Sequence, residues 1–378
     1  MRVAKLLYKN GKWESERNDK GVDYQSAVLV LGYGARNILE DPIFFSEVKK
    51  MFPKADIALS SSSGEIFCNE VFDDTVAITV LEFSSSQIRT TQIDINDFQD
   101  SFEAGNRLIE NLSDDHLKWV FVLSDGSNVN GSKLVEGLNN ARPDKVLISG
   151  GLAGDSDKFE KTVVGLNQVP ASDKIVAIGF YGDQLELVHA SYGGWESFGL
   201  ERTVTKSEKN ILYEIDNRNA LDLYKKYLGK YAEELPGSAL LFPLSLKISE
   251  DSDPVVRTIL SINDEGNMIF AGDLPEGSKV RFMKANMDRL IDAANAAAEA
   301  CLAINSGASL AIIVSCVGRK LVLGERIAEE VEIVREVLGS KTILTGFYSY
   351  GEISPLKPFD DCALHNQTIT ITTVNETE

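Results

Sequence analysis

Hydrophobic and polar positions in this chain fall into a unit that recurs three times: a short apolar run, a stretch with helical spacing, a second apolar run, then a Gly-rich acidic turn. The first unit has VLVL from Val28, a helical stretch at 44–51, and ADIALS from Ala55 leading into Ser61-Ser62-Ser63-Gly64-Glu65-Ile66, with a further apolar run at 76–81. The second has WVFVLSDG from Trp119, a helical stretch at 132–140, KVLISGG from Lys145 leading into Leu152-Ala153-Gly154-Asp155, and IVAIGFYG from Ile175. The third has LAIIVSC from Leu310, a helical stretch at 325–338, TILTGF from Thr342 leading into Tyr348-Ser349-Tyr350-Gly351-Glu352-Ile353, and TITITTV from Thr368. Short runs rich in Val and Ile, bounded by Gly and alternating with helical patterns, are the mark of buried strands in an α/β protein. First and second runs lie roughly thirty residues apart, the length of a crossover unit. The pattern predicts an α/β fold of repeated strand-helix-strand-strand blocks forming mixed sheets covered by helices. Turns that follow strands carry exposed backbone and side chains in such sheets, so the acidic turns are expected along one edge.

Between the second and third blocks the pattern changes. Residues 220–235 carry an apolar stripe (Leu221, Leu223, Tyr224, Tyr227, Leu228, Tyr231) that predicts a helix ending before Pro236. Residues 239–285 hold short β-like runs (LLFPLSL, VVRTILSI, NMIFAG, KVRFM) and predict an antiparallel insertion in the C-terminal half. The Ala-rich stretch 286–304 predicts a packed helix. The first twenty or so residues are weakly patterned, an edge strand or a loose lead-in. With 378 residues the chain is long for one core, and two domains are expected, 1–198 and 199–378.

A formal charge of −19 argues against nucleic acid or an anionic membrane as the main partner. Four cysteines without CxxC spacing (Cys68, Cys301, Cys316, Cys362), no leader-like opening and no apolar run long enough for a bilayer suggest reduced thiols in the cytoplasm.

The segments SSSGEI (61–66), GGLAGD (150–155), YGGWESFG (192–199), KNILYEIDNRNALDLYKKYLG from Lys209, YSYGEISP (348–355) and CALHNQTITITT from Cys362 together resemble the FIST family, with a FIST-N-like region to about 198 and a FIST-C-like region beyond. The resemblance implies a stand-alone sensory unit of signal transduction that binds a small polar ligand, amino acids among those proposed. Output would come from a separate signalling protein such as a histidine kinase or a cyclic-nucleotide enzyme. Certain members bind haem and sense nitric oxide.

Read for their chemistry, Glu65 and Glu352 are candidate acceptors for a ligand ammonium group, with Gly64 and Gly351 allowing close backbone approach and Ser62, Ser63 and Tyr350 beside them. The alternative is that the glycines make the turns and the carboxylates cap backbone amides. On the ligand-binding reading, alanine at both Glu65 and Glu352 is expected to abolish binding without unfolding the chain. Gly151 and Asp155 belong to a turn that lacks the GxGxxG spacing of a dinucleotide site, and tight-turn duty competes there with ligand contact. Trp195 either covers a ligand or closes the seam between the halves. His365 and Asn366 precede the last strand; His365 is a candidate axial haem ligand, with His189 behind it, or a structural hydrogen-bonding group. Neither a GxSxG elbow nor HExxH is present, so a binding protein is expected rather than an enzyme, with a hydrolase or transferase using Ser63 and Glu65 as the alternative.

Overall fold

The three apolar runs form strands because both faces of each find cover. A computed structural model describes residues 1–18, 21–235, 237–250, 252–357 and 360–377. The first strands of the three blocks are Leu29–Gly34, Leu117–Ser124 and Leu310–Cys316. Leu29, Leu31 and Tyr33, then Trp119, Phe121 and Leu123, then Leu310, Ile312 and Val314 enter one shared central core. The residues between them face three separate helix layers: Val30 on the first, Val120 and Val122 on the second, Ala311 and Ile313 on the third. Period-two alternation between two apolar environments is what makes these runs read as continuous Val, Ile and Leu.

Each first strand pairs in parallel with a second strand, Asp56–Ser61, Leu147–Leu152 or Ile343–Ser349. A parallel pair requires a crossover, which the helices Pro42–Met51, Gly131–Ala141 and Ile327–Leu338 supply. Pro42 at the first helical position with Asp41 capping the Ile43 amide starts the first of these, and Asn130 caps the Lys133 amide in the second. Gly150 and Gly346 occupy corresponding places in the second strands: a Cβ there would lie 2.0 Å from the Val122 carbonyl oxygen and 1.8 Å from that of Ile313. Only glycine allows that approach.

Beyond each second strand the chain crosses into a neighbouring sheet before returning. Glu65–Phe67 of block one pairs with the second strand of block three, Gly351–Pro355 of block three with that of block two, and Val164–Leu166 of block two with that of block one. The exchange is cyclic. Every sheet then has one order: exchanged strand, second strand, first strand, a closing strand (Val76–Glu82, Lys174–Tyr181 or Ile369–Glu376) and an outer strand (Arg2–Lys9, Gln87–Asp94 or Leu185–Tyr192). The opening residues are therefore integral, Arg2–Lys9 pairing along the whole closing strand and Lys12–Arg17 adding an edge.

The fourth sheet is antiparallel and eight-stranded, and it begins earlier than the sequence suggests, at Glu196–Glu208, running to Lys279–Lys284. Val204, Leu212, Tyr224, Phe270 and Phe282 form its separate core. The expected helix over 220–235 is α-helical only over Ala220–Leu228, because Gly229 at φ 56° ends it and a 3-10 turn, Gly229–Glu234, follows. Pro236 lies outside the described residues. The expected division at 198/199 falls inside Glu196–Glu208, and two of the four sheets take strands from both sides of it. Strand exchange between blocks is the reason.

No helix among the described residues is long and apolar enough to cross a membrane. All four cysteines are free thiols, and only Cys68 is not buried. Burial pushes the Cys301 and Cys362 thiols up to about 12 and raises Cys316 as well. Since the thiolate is the reactive form, a thiol-specific reagent is expected to label one cysteine of the native protein, Cys68, and the remaining three only in denaturant. Peptide mass mapping would show it; equal labelling of all four without denaturant would contradict the burial.

Candidate functional site

The Gly-rich turns of the three blocks meet at one end of the central core. The Ser63 amide donates to the Tyr348 carbonyl (2.8 Å) and the Tyr348 amide to the Gly64 carbonyl (2.9 Å). The Gly154 amide donates to the Ser61 carbonyl (3.1 Å), and the Tyr350 amide to the Leu152 carbonyl (3.2 Å). Ser62, Ser63, Gly64, Gly151, Asp155, Tyr350 and Gly351 are thus brought into one neighbourhood.

Within it the two glutamates turn inward, and this corrects their expected role. Ser62 Oγ donates to Glu65 Oε1 (2.5 Å) and Thr75 Oγ1 to Oε2 (2.6 Å). In block three Ser349 Oγ donates to Glu352 Oε1 (2.6 Å) and Thr368 Oγ1 to Oε2 (2.8 Å). Glu65 is 1% exposed and Glu352 0%. Burial pushes both carboxyls up to about 8. Each carboxyl is buried and accepts from hydroxyls of its own block, one from the turn and one from the entrance of the closing strand, with the Thr368 amide (3.2 Å) added at Glu352, so neither is presented to a ligand. Gly351 and Gly151 are likewise enclosed: a Cβ on Gly151 would meet Val314 at 2.8 Å, and one on Gly351 would meet Leu364 at 2.9 Å.

Block two has no glutamate in its turn. Asp155 instead pairs with Arg36 of block one (Nε–Oδ2 3.3 Å), beside a hollow of about 30 Å³ that Ser62 and Asn37 also line. That volume holds a water, not a metabolite. Ser63 is buried, with Oγ donating to the Ser156 carbonyl (2.9 Å).

His365 is 1% exposed, its Nε2 lies 3.0 Å from the Ser354 carbonyl, to which it donates, and burial pushes it down to about 4. His189 is also buried, with Nδ1 2.9 Å from Thr372 Oγ1 and burial lowering it to about 3. Both imidazoles are buried, at 1% and 8% exposure, which leaves neither ring open to a porphyrin, so the residues present do not fit axial haem ligation. Among the described residues no group of three or more His, Cys, Asp or Glu is placed to hold a metal ion. Asn366 is buried, its Nδ2 donating to the His365 carbonyl (3.1 Å). Trp195 donates from Nε1 to the Gln367 carbonyl (2.8 Å) and packs against Leu290, Val322 and Leu323, where it closes the seam between the inserted sheet and block three.

An open space lies next to this cluster, between block two and the inserted sheet: a cleft of about 460 Å³. One wall is the turn after the first strand of block two. Asp125, fully buried, accepts from the Ser127 (2.7 Å), Asn128 (3.1 Å) and Asp173 (2.6 Å) amides and from Thr162 Oγ1 (2.8 Å), and so fixes that turn. The opposite wall is the insertion, with Phe270 and Asp273. The end wall is Phe159 stacked on Tyr350, ring centroids 4.6 Å apart. The two sides are tied by Asn130 Nδ2 donating to Asp273 Oδ1 (3.2 Å) and by the Asp273 amide donating to Ser132 Oγ (3.2 Å). Of the residues singled out in the sequence only Tyr350 lines this cleft. The run SDGSNVNGS at 124–132, dense in Asn and Ser after a buried strand, was the available signal.

Fold and turns together define a mixed α/β protein of three strand-exchanged blocks with an inserted antiparallel sheet. The FIST N domain family matches residues 28–218 and the FIST C domain family residues 220–355, so the chain belongs to the FIST family, whose domains are small-ligand-binding sensors of signal transduction. No curated protein matches the chain. Among solved structures it is similar to a chorismatase (9% identity, TM-score 0.33, 98% of each chain covered). It is also similar to a cyanuric acid hydrolase described as an evolutionary innovation by structural concatenation (7% identity, TM-score 0.38, 100% of this chain and 99% of that one) and to the cyanuric acid hydrolase of A. caulinodans (7% identity, TM-score 0.33, 94% and 92%). Likeness at that level carries no argument about activity.

Proposed function

We propose that this FIST protein is a sensor that binds a small polar metabolite, such as an amino acid or a related compound, in the cleft between block two and the inserted sheet, and reports it to a separate signalling protein. The carrying observation is the cleft itself: its walls come from two bodies with separate cores, joined across it by the Asn130–Asp273 bond. Sites between such bodies let a ligand bias their relative position, because binding energy that differs between two arrangements shifts the population. Binding rather than turnover is supported by Ser63 and both glutamates being enclosed in internal hydrogen bonds.

A thermal-shift screen against amino acids, amines and small carboxylates tests this, run in parallel on Phe159→Ala. Phe159 is 41% exposed on the end wall, so its loss is expected to weaken binding and leave the fold intact. A ligand at about 100 times its Kd adds roughly 2.7 kcal/mol to stability. Stabilisation of the native protein that disappears in the variant supports the cleft, and stabilisation equal in both places the ligand elsewhere.

A further inference from the structure

The charge distribution around the cleft narrows its ligand, on the premise that the cleft is the binding site. Among the described residues those lining it include two carboxylates, Glu160 and Asp273, and no Lys, Arg or His. Two cations behind the walls, Lys133 and Arg257, interact with Asp273 through space but are held by other acceptors. Lys133 pairs with Glu136 at 2.6 Å, and the buried Arg257 guanidinium donates to the carbonyls of Asp273 (3.1 Å), Val256 (3.2 Å) and Leu364 (2.9 Å). Among the described residues the Asp273 carboxylate accepts its hydrogen bond from a neutral donor, Asn130 Nδ2, at 3.2 Å to one oxygen and 3.5 Å to the other. Both distances are long for a carboxylate, which bonds more strongly to a charged donor.

The end wall adds a second preference. Phe159 sits at φ 53°, a left-handed backbone rare for a bulky residue, and its amide donates to Tyr350 Oη at 2.9 Å. The strained backbone holds the ring parallel to Tyr350, with an interplanar angle of 18°. An aromatic wall offers a flat apolar face and attracts cations through the ring quadrupole. We infer that the cleft takes an organic ammonium compound with an apolar or aryl body, its cationic head on Asp273 in place of the Asn130 amide and its body against Phe159 and Tyr350. A free carboxylate on the ligand finds no cation among the described lining residues, so a simple amine is favoured over the corresponding amino acid.

Three probes sharing a phenylethyl body separate the possibilities: 2-phenylethylamine, phenylalanine and 3-phenylpropionate, titrated by calorimetry into the full chain. The expected order is amine tightest, phenylalanine weaker and the carboxylate weakest, the amine exceeding the carboxylate at least tenfold, about the effect of one charge-assisted bond. Asp273→Asn is expected to weaken the amine by about tenfold and to leave the carboxylate unchanged or improved. Glu160→Gln, on an exposed side chain that cannot unfold the protein, is expected to weaken the amine by a smaller factor. Equal or tighter binding of the carboxylate, no measurable binding of the amine, or an amine affinity unmoved by Asp273→Asn overturns the inference. Carboxylate binding lost in Phe159→Ala would overturn the ligand class while sustaining the cleft, and probe binding unmoved by every cleft variant would overturn the cleft as well.

Discussion

Alanine in place of Arg319 or of Glu330 is expected to destabilise the protein by about 3–5 kcal/mol, because each leaves the other as an uncompensated buried charge. The side chains of both are 0% exposed. Arg319 Nε and Nη2 reach Glu330 Oε1 at 2.8 and 2.7 Å, while its other donors go to the carbonyls of Gly193 (2.5 Å) and Leu290 (2.8 Å). Glu330 Oε2 accepts from Ser315 Oγ (2.9 Å) and Tyr348 Oη (3.0 Å). One guanidinium thereby ties the crossover helix of block three, its first helix (Met287–Ile304), and the segment that leaves for the insertion. Urea denaturation gives the loss directly. A double variant, Arg319→Met with Glu330→Leu, is expected to lose less than either alanine variant, since no lone charge remains. Losses below about 1 kcal/mol for the alanine variants would contradict the enclosed pair.

The second large effect concerns Glu65 and Glu352, and it reverses the expectation drawn from the sequence. Alanine at both is expected to unfold the protein, or nearly so, rather than silence a binding site. Each substitution strands two buried hydroxyls at about 1–3 kcal/mol apiece, and the sum rivals a total stability of about 5–15 kcal/mol. Their pH dependence is distinctive. Both carboxyls are pushed by burial from an ordinary 4.5 to about 8, so the folded protein holds these protons more tightly than the unfolded chain. Their stabilisation is complete below about pH 4.5 and is lost as pH rises through about 8. The native protein is expected to show a falling urea midpoint between pH 5.5 and 8, and Glu65→Gln with Glu352→Gln to flatten it. An unchanged slope in the double glutamine variant would remove these two groups as its source. Glu376 works in another window. Burial would raise it, but the amides of Ser84 (2.7 Å), Ser85 (2.9 Å) and Ser86 (2.7 Å) hold it well below 4.5, so its contribution fails only in acid.

Much of the fold was legible because it rests on local pattern. Runs such as LAIIVSC record burial on two faces, and the insertion announced itself by a change of period. The repeat also located the turns at one edge. What the pattern cannot carry is pairing at a distance. Nothing local to Glu65 says that Thr75, ten residues on, will arrive beside it, or that Thr368 will close on Glu352 across sixteen. An acid after a glycine looks open in sequence, and whether it is open depends on those late arrivals. The cleft was hidden for the same reason: Asn130, Phe159, Asp273 and Tyr350 come from four separate stretches, and only the Asn-rich turn carried a local hint.

The cyclic hand-over of strands makes the three blocks hostages to one another. A block severed from its neighbours would present an open edge beside its second strand and carry a tongue with nothing to grip, so neither half of this chain has the makings of an autonomous folding unit. Assembly must also wait: Glu65–Phe67 meets Ile343–Ser349 only after some 280 residues of intervening chain have been brought into place, so closing that loop costs entropy before any contact returns it.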